Sequence, residues 1–266
     1  MFTLQLRQQR LELDDAGFRQ WRAIEREVSV PETSTAVIIC DVWDRHWCRG
    51  AVERLEAMLD RMAQFVAAAR EAGALIVHAP SDTMAAYAGS PARARALAAA
   101  PVEPPQDLPR ANPPLPVDAS DGGCDTEGNA AGPDRRVWTR QHPRLAIDES
   151  RDAISDNGRE IYSLLRSRAI DHVLLLGVHT NMCILNRTFA IKQMVRWGVD
   201  IMLCRDLTDS MYNPALAPYV SHAEGTRLVI EYIEKFWCPT FESADLLGRG
   251  SERPQRGTGL VDVLGR

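Results

Sequence analysis

The stretch Val173-Leu174-Leu175-Leu176-Gly177-Val178-His179-Thr180-Asn181-Met182-Cys183 decides how the rest of the chain is read. A continuous apolar run reads as a buried strand and stops at a glycine. A short polar turn follows, and Cys183 then opens an amphipathic helix predicted over Ile184 to Trp197. This layout puts a thiol at a helix N-terminus, where the dipole and free backbone N–H groups favour thiolate over thiol. The same amides suit the oxyanion that forms when a thiolate attacks a carbonyl. A buried structural cysteine needs none of this, so Cys183 is the candidate nucleophile.

Outward from that stretch, strands and helices alternate. Thr35 to Cys40 reads as a buried strand ending at Asp41. Val52 to Ala72 carries apolar residues at helical spacing and stops at Gly73, a C-cap signal. Strands are predicted at Ala74 to His78, Arg136 to Thr139 and Asp200 to Cys204, and helices at Asn157 to Arg168 and Ser221 to Lys235. Such alternation implies an α/β fold, a parallel sheet covered by helices on both faces. Ligands in these sheets bind beyond the carboxyl ends of the strands. Asp41, Arg140 and Cys183 each follow a predicted strand, so they are expected to meet in one crevice. Residues 1–34 read as a polar N-terminal arm, with an amphipathic piece around Phe18, Trp21 and Ile24. Residues 80–133 form a long insertion, either a lid or a disordered excursion. The domain proper is expected over 35–247, with a flexible tail at 248–266.

Composition narrows the function classes. The 266 residues are 45% hydrophobic, enough for one full core. A net charge of −5, from 36 acidic and 31 basic residues, with no basic run, argues against nucleic acid as a partner. No apolar stretch is long enough to span a bilayer, and the start lacks a signal-peptide core, so no membrane partner and a cytoplasmic location are expected. The six cysteines are scattered without a CxxC pair, and they read as reduced thiols rather than a disulfide framework.

Asp44-Arg45-His46 is a D-x-H pair, but a metal site needs three or more converging ligands, and neither a metal nor another cofactor is expected. Trp43, Trp47 and Trp138 stand near the predicted strand ends. They read either as packing or as an aromatic wall for a small planar substrate. Arg187, one helical turn after Cys183, could meet a substrate carboxylate or a neighbouring subunit. Residues 205–214 form a polar loop that could complete the pocket or an oligomer contact.

With these residues in hand, the chain resembles the isochorismatase-like cysteine hydrolase superfamily, which includes nicotinamidases, N-carbamoylsarcosine amidases and ureidoacrylate amidohydrolases. The likeness runs over roughly 35–240, omitting the insertion, and rests on Val37-Ile38-Ile39-Cys40-Asp41 and on Gly177-Val178-His179-Thr180-Asn181-Met182-Cys183. It implies a three-layer α/β/α, Rossmann-like fold with a six-stranded, mainly parallel sheet, and an Asp–Lys–Cys triad. It also implies a cis peptide at Val178–His179 and an oxyanion hole from the amides of His179 and Cys183. The expected substrate is a small molecule and the expected assembly a homo-oligomer. In the nicotinamidase-type members a metal-binding Asp-x-His follows the second strand. Here that segment reads His78-Ala79-Pro80-Ser81-Asp82-Thr83-Met84, without the pattern.

The departure concerns the lysine. Its position after the strand at 136–139 holds Arg140, and Lys192 and Lys235, the chain's two lysines, stand elsewhere. Arg140 can pair with Asp41, but a guanidinium does not give up its proton. Two routes remain open: Asp41 moves the proton while Arg140 compensates charge, or His142 or His179 shares the acid/base work. The expected activity is hydrolysis of an amide, ureide or carbamoyl C–N bond through a thioester. The alternatives are vinyl-ether hydrolysis of the isochorismatase type and a catalytically impaired binding or scaffold protein.

Overall fold

A computed structural model describes residues 1–128 and 136–248. Six parallel strands form the centre of the sheet: β3 (Thr35–Cys40), β4 (Leu75–Ala79), β5 (Ala153–Ile154), β6 (His172–Val178), β7 (Asp200–Asp209) and β8 (Thr240–Phe241). With β1 (Phe2–Leu13) and β2 (Arg19–Val30) the order across the sheet is β2-β1-β8-β7-β6-β3-β4-β5. The chain steps outward from β3 to β4 and β5, returns, and steps the other way through β6, β7 and β8. Strand order therefore reverses between β3 and β6, the place where open α/β sheets leave a crevice.

Period-two alternation along each buried strand divides the core. Val37 and Ile39, Leu174 and Leu176, and Met202 and Cys204 face α1 (Arg49–Glu71). Ile38, Val173, Leu175, Ile201 and Leu203 face the other layer, α3 (Gly158–Ser167), α5 (Ile191–Arg196) and α6 (His222–Phe236). The helices begin where polar caps allow: Asn157 accepts from the amides of Arg159 and Glu160, and Ser221 from that of Glu224. Among the described residues, no helix is long and apolar enough to cross a membrane.

Four expectations change. The segment expected as a polar arm outside the domain is an antiparallel hairpin that joins the sheet, because Phe2, Leu4 and Leu6 alternate into the core while Asp14 and Gly17 make its turn. The hairpin is anchored by buried Glu234, which accepts from Gln9 Nε2 (2.9 Å) and Thr240 Oγ1 (2.7 Å). Residues 136–139 form no strand; they run along residues 43–44, with one isolated bridge between Trp43 and Gln141. The helix expected over 184–197 is two pieces, α4 (Cys183–Asn186) and α5, broken where Arg187 turns extended (φ −61°, ψ 151°). Finally, Cys48 and Cys124 are joined as a disulfide, because the insertion returns to the start of α1.

The insertion carries a 3₁₀ turn (Met84–Tyr87) and α2 (Pro91–Leu97), then runs irregularly up to residue 128. It is neither a free lid nor loose chain over that span: Leu108 N donates to Arg196 O (2.8 Å), Asp118 N to Ala217 O (2.8 Å), and Tyr232 Oη to Pro113 O (2.8 Å). The end of the insertion, and the tail from 249 onward, lie outside the described residues.

Candidate active site

Gly177 makes the crevice possible. It sits opposite Cys40 in the β3–β6 register with φ +119°, and a Cβ there would lie 2.0 Å from the Cys40 carbonyl oxygen. Only glycine permits so close an approach with that backbone. The peptide Val178–His179 that follows is cis, as the resemblance implied. The turn is then fixed from several sides. Thr180 N donates to Asp209 O (2.8 Å), and the Asn181 side chain brackets Met211, donating to its carbonyl (2.7 Å) and accepting from its amide (2.9 Å). Met182 and Ile184 both donate their amides to the His179 carbonyl.

Across the crevice, Asp41 leaves β3 with φ +50°, a conformation short polar side chains tolerate better than bulky ones. Its carboxylate is wholly buried, at 0% exposure. Oδ1 accepts from Ser81 N (2.8 Å) and Oδ2 from Arg187 Nε (2.8 Å). The Cys183 thiol lies against the same carboxylate and interacts with it. The three groups expected to meet at the strand ends were Asp41, Arg140 and Cys183. Those that meet are Asp41, Cys183 and Arg187.

Arg140 is exposed, and it is its backbone that is held: its amide donates to Asp44 Oδ1 (3.3 Å), and its carbonyl accepts from Asp44 N (3.0 Å). The missing strand at 136–139 is the reason, since this segment lies outside the sheet and turns the arginine outward. Arg187 reaches Asp41 because it stands four residues after Cys183, on the same helical face. Its guanidinium also nears Asp82 Oδ2 (3.4 Å) and lies over the Trp43 ring (5.9 Å). Within the chain its partners are therefore Asp41, Asp82 and Trp43. The i, i+4 spacing was the sequence signal for Arg187. The Ser81 amide and Asp82 left no such signal.

The electrostatics differ from those expected of the helix start. Burial pushes the Cys183 thiol well up, and Asp41 pushes it further; Arg187 and the His179 amide, directed at the sulfur, oppose this. The helix it opens is a single turn, too short to offset burial. Burial also raises Asp41, opposed mainly by Arg187. Burial alone would lower Arg187, but Asp41 and Cys183 outweigh it and hold the guanidinium firmly charged. The site therefore holds the Cys183 sulfur as a thiol, beside the charged Arg187 guanidinium and the Asp41 carboxyl group that binds it.

Neither candidate histidine reaches the thiol. His142 Nε2 pairs with Glu56 Oε1 on α1 (3.0 Å). The His179 ring packs edge-on to His46 (4.9 Å between centroids), and burial, then His46, lowers it to about 3. It is a neutral ring without a proton to give at neutral pH.

The aromatic residues do converge. Trp43 and Trp138 stack at 4.2 Å with planes 12° apart, the His46 ring lies nearly parallel alongside the pair, 6.0 Å from Trp138 and 6.4 Å from Trp43, and Trp47 packs beside His46. His46 is lowered to about 4 by burial, which the hydrogen bond from the Cys48 amide opposes. The D-x-H pair does not present its side chains together. His46 Nδ1 accepts from Cys48 N (3.1 Å), while the Asp44 carboxylate accepts from Thr139 Oγ1 (2.6 Å). The loop expected over 205–214 is strand as far as Asp209, since β7 runs on past Cys204 beside β6, and Asp209 and Met211 support the turn of the site.

Comparison with solved structures finds similar chains. A cysteine hydrolase from Pseudomonas syringae pv. phaseolicola 1448A superposes with a TM-score of 0.50 at 18% identity, covering 83% of this chain and 94% of that one. An isochorismatase from Pseudomonas putida KT2440 covers 81% of this chain and 91% of its own, with a TM-score of 0.46 at 12% identity. At these identities the likeness is one of fold, and the chain has the isochorismatase-like fold. No protein-family model matches the chain, and no curated protein matches it.

Proposed function

We propose that the protein hydrolyses a C–N bond of a small molecule, an amide, ureide or carbamoyl group, through a thioester on Cys183. The observation that carries this reading is the buried Asp41 carboxylate, fixed by Ser81 N and Arg187 and facing the Cys183 sulfur. Because the resting sulfur is a thiol, attack is coupled to transfer of its proton to Asp41. The amides of His179 and Cys183 hold the tetrahedral oxyanion. Asp41 then delivers the proton to the leaving nitrogen as the C–N bond breaks. Water, deprotonated by Asp41, cleaves the thioester and restores the thiol. Arg187 stays charged throughout, orients Asp41 and favours its release of the proton at each step. Arg140 has no part in this scheme.

The test is hydrolysis of an amide, ureide and carbamoyl panel by wild type, Cys183→Ala and Asp41→Asn. Turnover should vanish in both variants, and undiminished turnover in either would remove that residue from the mechanism. One observation favours a second reading, a binding protein that retains the fold: the thiol is held protonated beside a cation that cannot titrate. Absence of turnover by wild type across the panel, with tight binding of the same compounds, would favour it.

A further inference from the structure

The Cys48–Cys124 bridge lies outside the reacting groups, yet both neighbours of Cys124 lead to the turn that carries Cys183. Gly123 lies flat on Met211: a Cβ there would stand 2.3 Å from the Met211 carbonyl oxygen, and Met211 is the residue that the Asn181 side chain brackets. Asp125, on the other side, forms a two-pronged pair with Arg54 (2.8 and 3.1 Å) and lies 3.3 Å from His222 Nδ1. Arg54 Nε and His222 Nε2 both continue to the Asp209 carboxylate (2.9 Å each), and the Asp209 carbonyl accepts from Thr180 N. The bridge itself is packed by Trp47, Met182 and Met211, and Met182 is bonded directly to Cys183. Residues 122–126 have no helix or strand of their own to hold them there.

We infer that the Cys48–Cys124 disulfide is a redox-sensitive brace that positions the nucleophile turn. The inference rests on the proposed hydrolase reading for its kinetic consequence, but not for its structural one. Closing a loop of 76 residues in sequence separation confines Gly123 and Asp125 against their partners. Reduction by a dithiol such as dithiothreitol breaks the S–S bond. Two electrons and two protons pass to Cys48 and Cys124, and the reagent closes to its cyclic disulfide. Gly123 and Asp125 are then released, and Asn181 and Thr180 lose the supports that hold the turn.

The test compares protein purified without reductant and the same protein after dithiothreitol treatment and removal. Kinetics are measured on a hydrolysed panel compound, and iodoacetamide alkylation of Cys183 is followed by site-resolved mass spectrometry. Reduction should lower kcat by about tenfold, in line with the cost of small misplacements, with a smaller change in KM. Cys183 alkylation should quicken severalfold as the turn opens. Asp125→Asn in oxidised protein should reproduce part of both effects, and reduction should then add less than it does in wild type. The alkylation measurement needs no substrate, so it decides the brace even if no panel compound is turned over. Unchanged Cys183 alkylation in protein shown by thiol titration to have gained two thiols would overturn the inference. So would six titratable thiols in the unreduced protein.

Discussion

Asp41 takes part in two opposing interactions, and each can be read separately. Its negative charge raises the Cys183 thiol, while Arg187, bound to the same carboxylate, lowers it. Because the thiol sits well up, alkylation of Cys183 by iodoacetamide should still be climbing above about pH 9, past the range of an ordinary cysteine. A plateau near pH 7 would show instead the low-pKa thiolate that the strand–turn–helix layout suggested. For hydrolysis, Arg187→Gln should lower kcat/KM by about 10²-fold, the scale on which a preorganised charge acts, and steady-state kinetics on a turned-over substrate would check this. Of the site, Asp41, Cys183 and the aromatic cluster were legible, because each is a chemically marked residue just past a strand or in a tight turn. The i, i+4 spacing marks Arg187, but its pairing with Asp41 is hidden in the sequence, where Arg140 fills the family's lysine position.

At the scale of elements, the close crossing of β3 and β6 at Gly177 is the sharpest constraint. Gly177→Ala puts a methyl group into the Cys40 carbonyl and forces φ +119° on a residue with a Cβ; it should cost about 3 kcal/mol or more by urea unfolding. Stability within about 0.5 kcal/mol of wild type would mean the strands lie further apart. The hairpin anchor makes a second prediction. Glu234→Ala leaves Gln9 Nε2 and Thr240 Oγ1 without their acceptor and should cost about 2–3 kcal/mol by the same measurement. The long buried strands and capped helices were readable from periodicity, since their burial patterns follow from the core they face. The hairpin and the irregular path at 136–142 were not. Both depend on long-range partners, Glu234 in one case and Asp44 with Val42 in the other; only Phe2, Leu4 and Leu6 alternate apolar in the hairpin, and its polar remainder carries no trace of its partner.

For the whole molecule, one buried imidazole, His179, and one half-buried, His46, predict how it fails in acid. His46 and His179 are lowered to about 4 and about 3, so both are neutral when folded and charged when unfolded across much of the range below the ordinary histidine value of about 6.5. The unfolded state then binds more protons, and stability is lost as pH falls, by up to about 1.4 kcal/mol per pH unit for each histidine. Urea unfolding at pH 7, 5.5 and 4 should show this decline, and a flat profile would show that the rings are not held neutral. The reversal of strand order at β3 and β6 brings Asp41, Cys183 and Arg187 together and leaves Arg140 outside. This grouping is tested most directly by the pH profile of Cys183 alkylation in wild type, Asp41→Asn, Arg187→Gln and Arg140→Gln. The profile should move to lower pH in Asp41→Asn, to higher pH in Arg187→Gln, and stay unmoved in Arg140→Gln. A profile displaced by Arg140→Gln and untouched by Arg187→Gln would contradict that grouping.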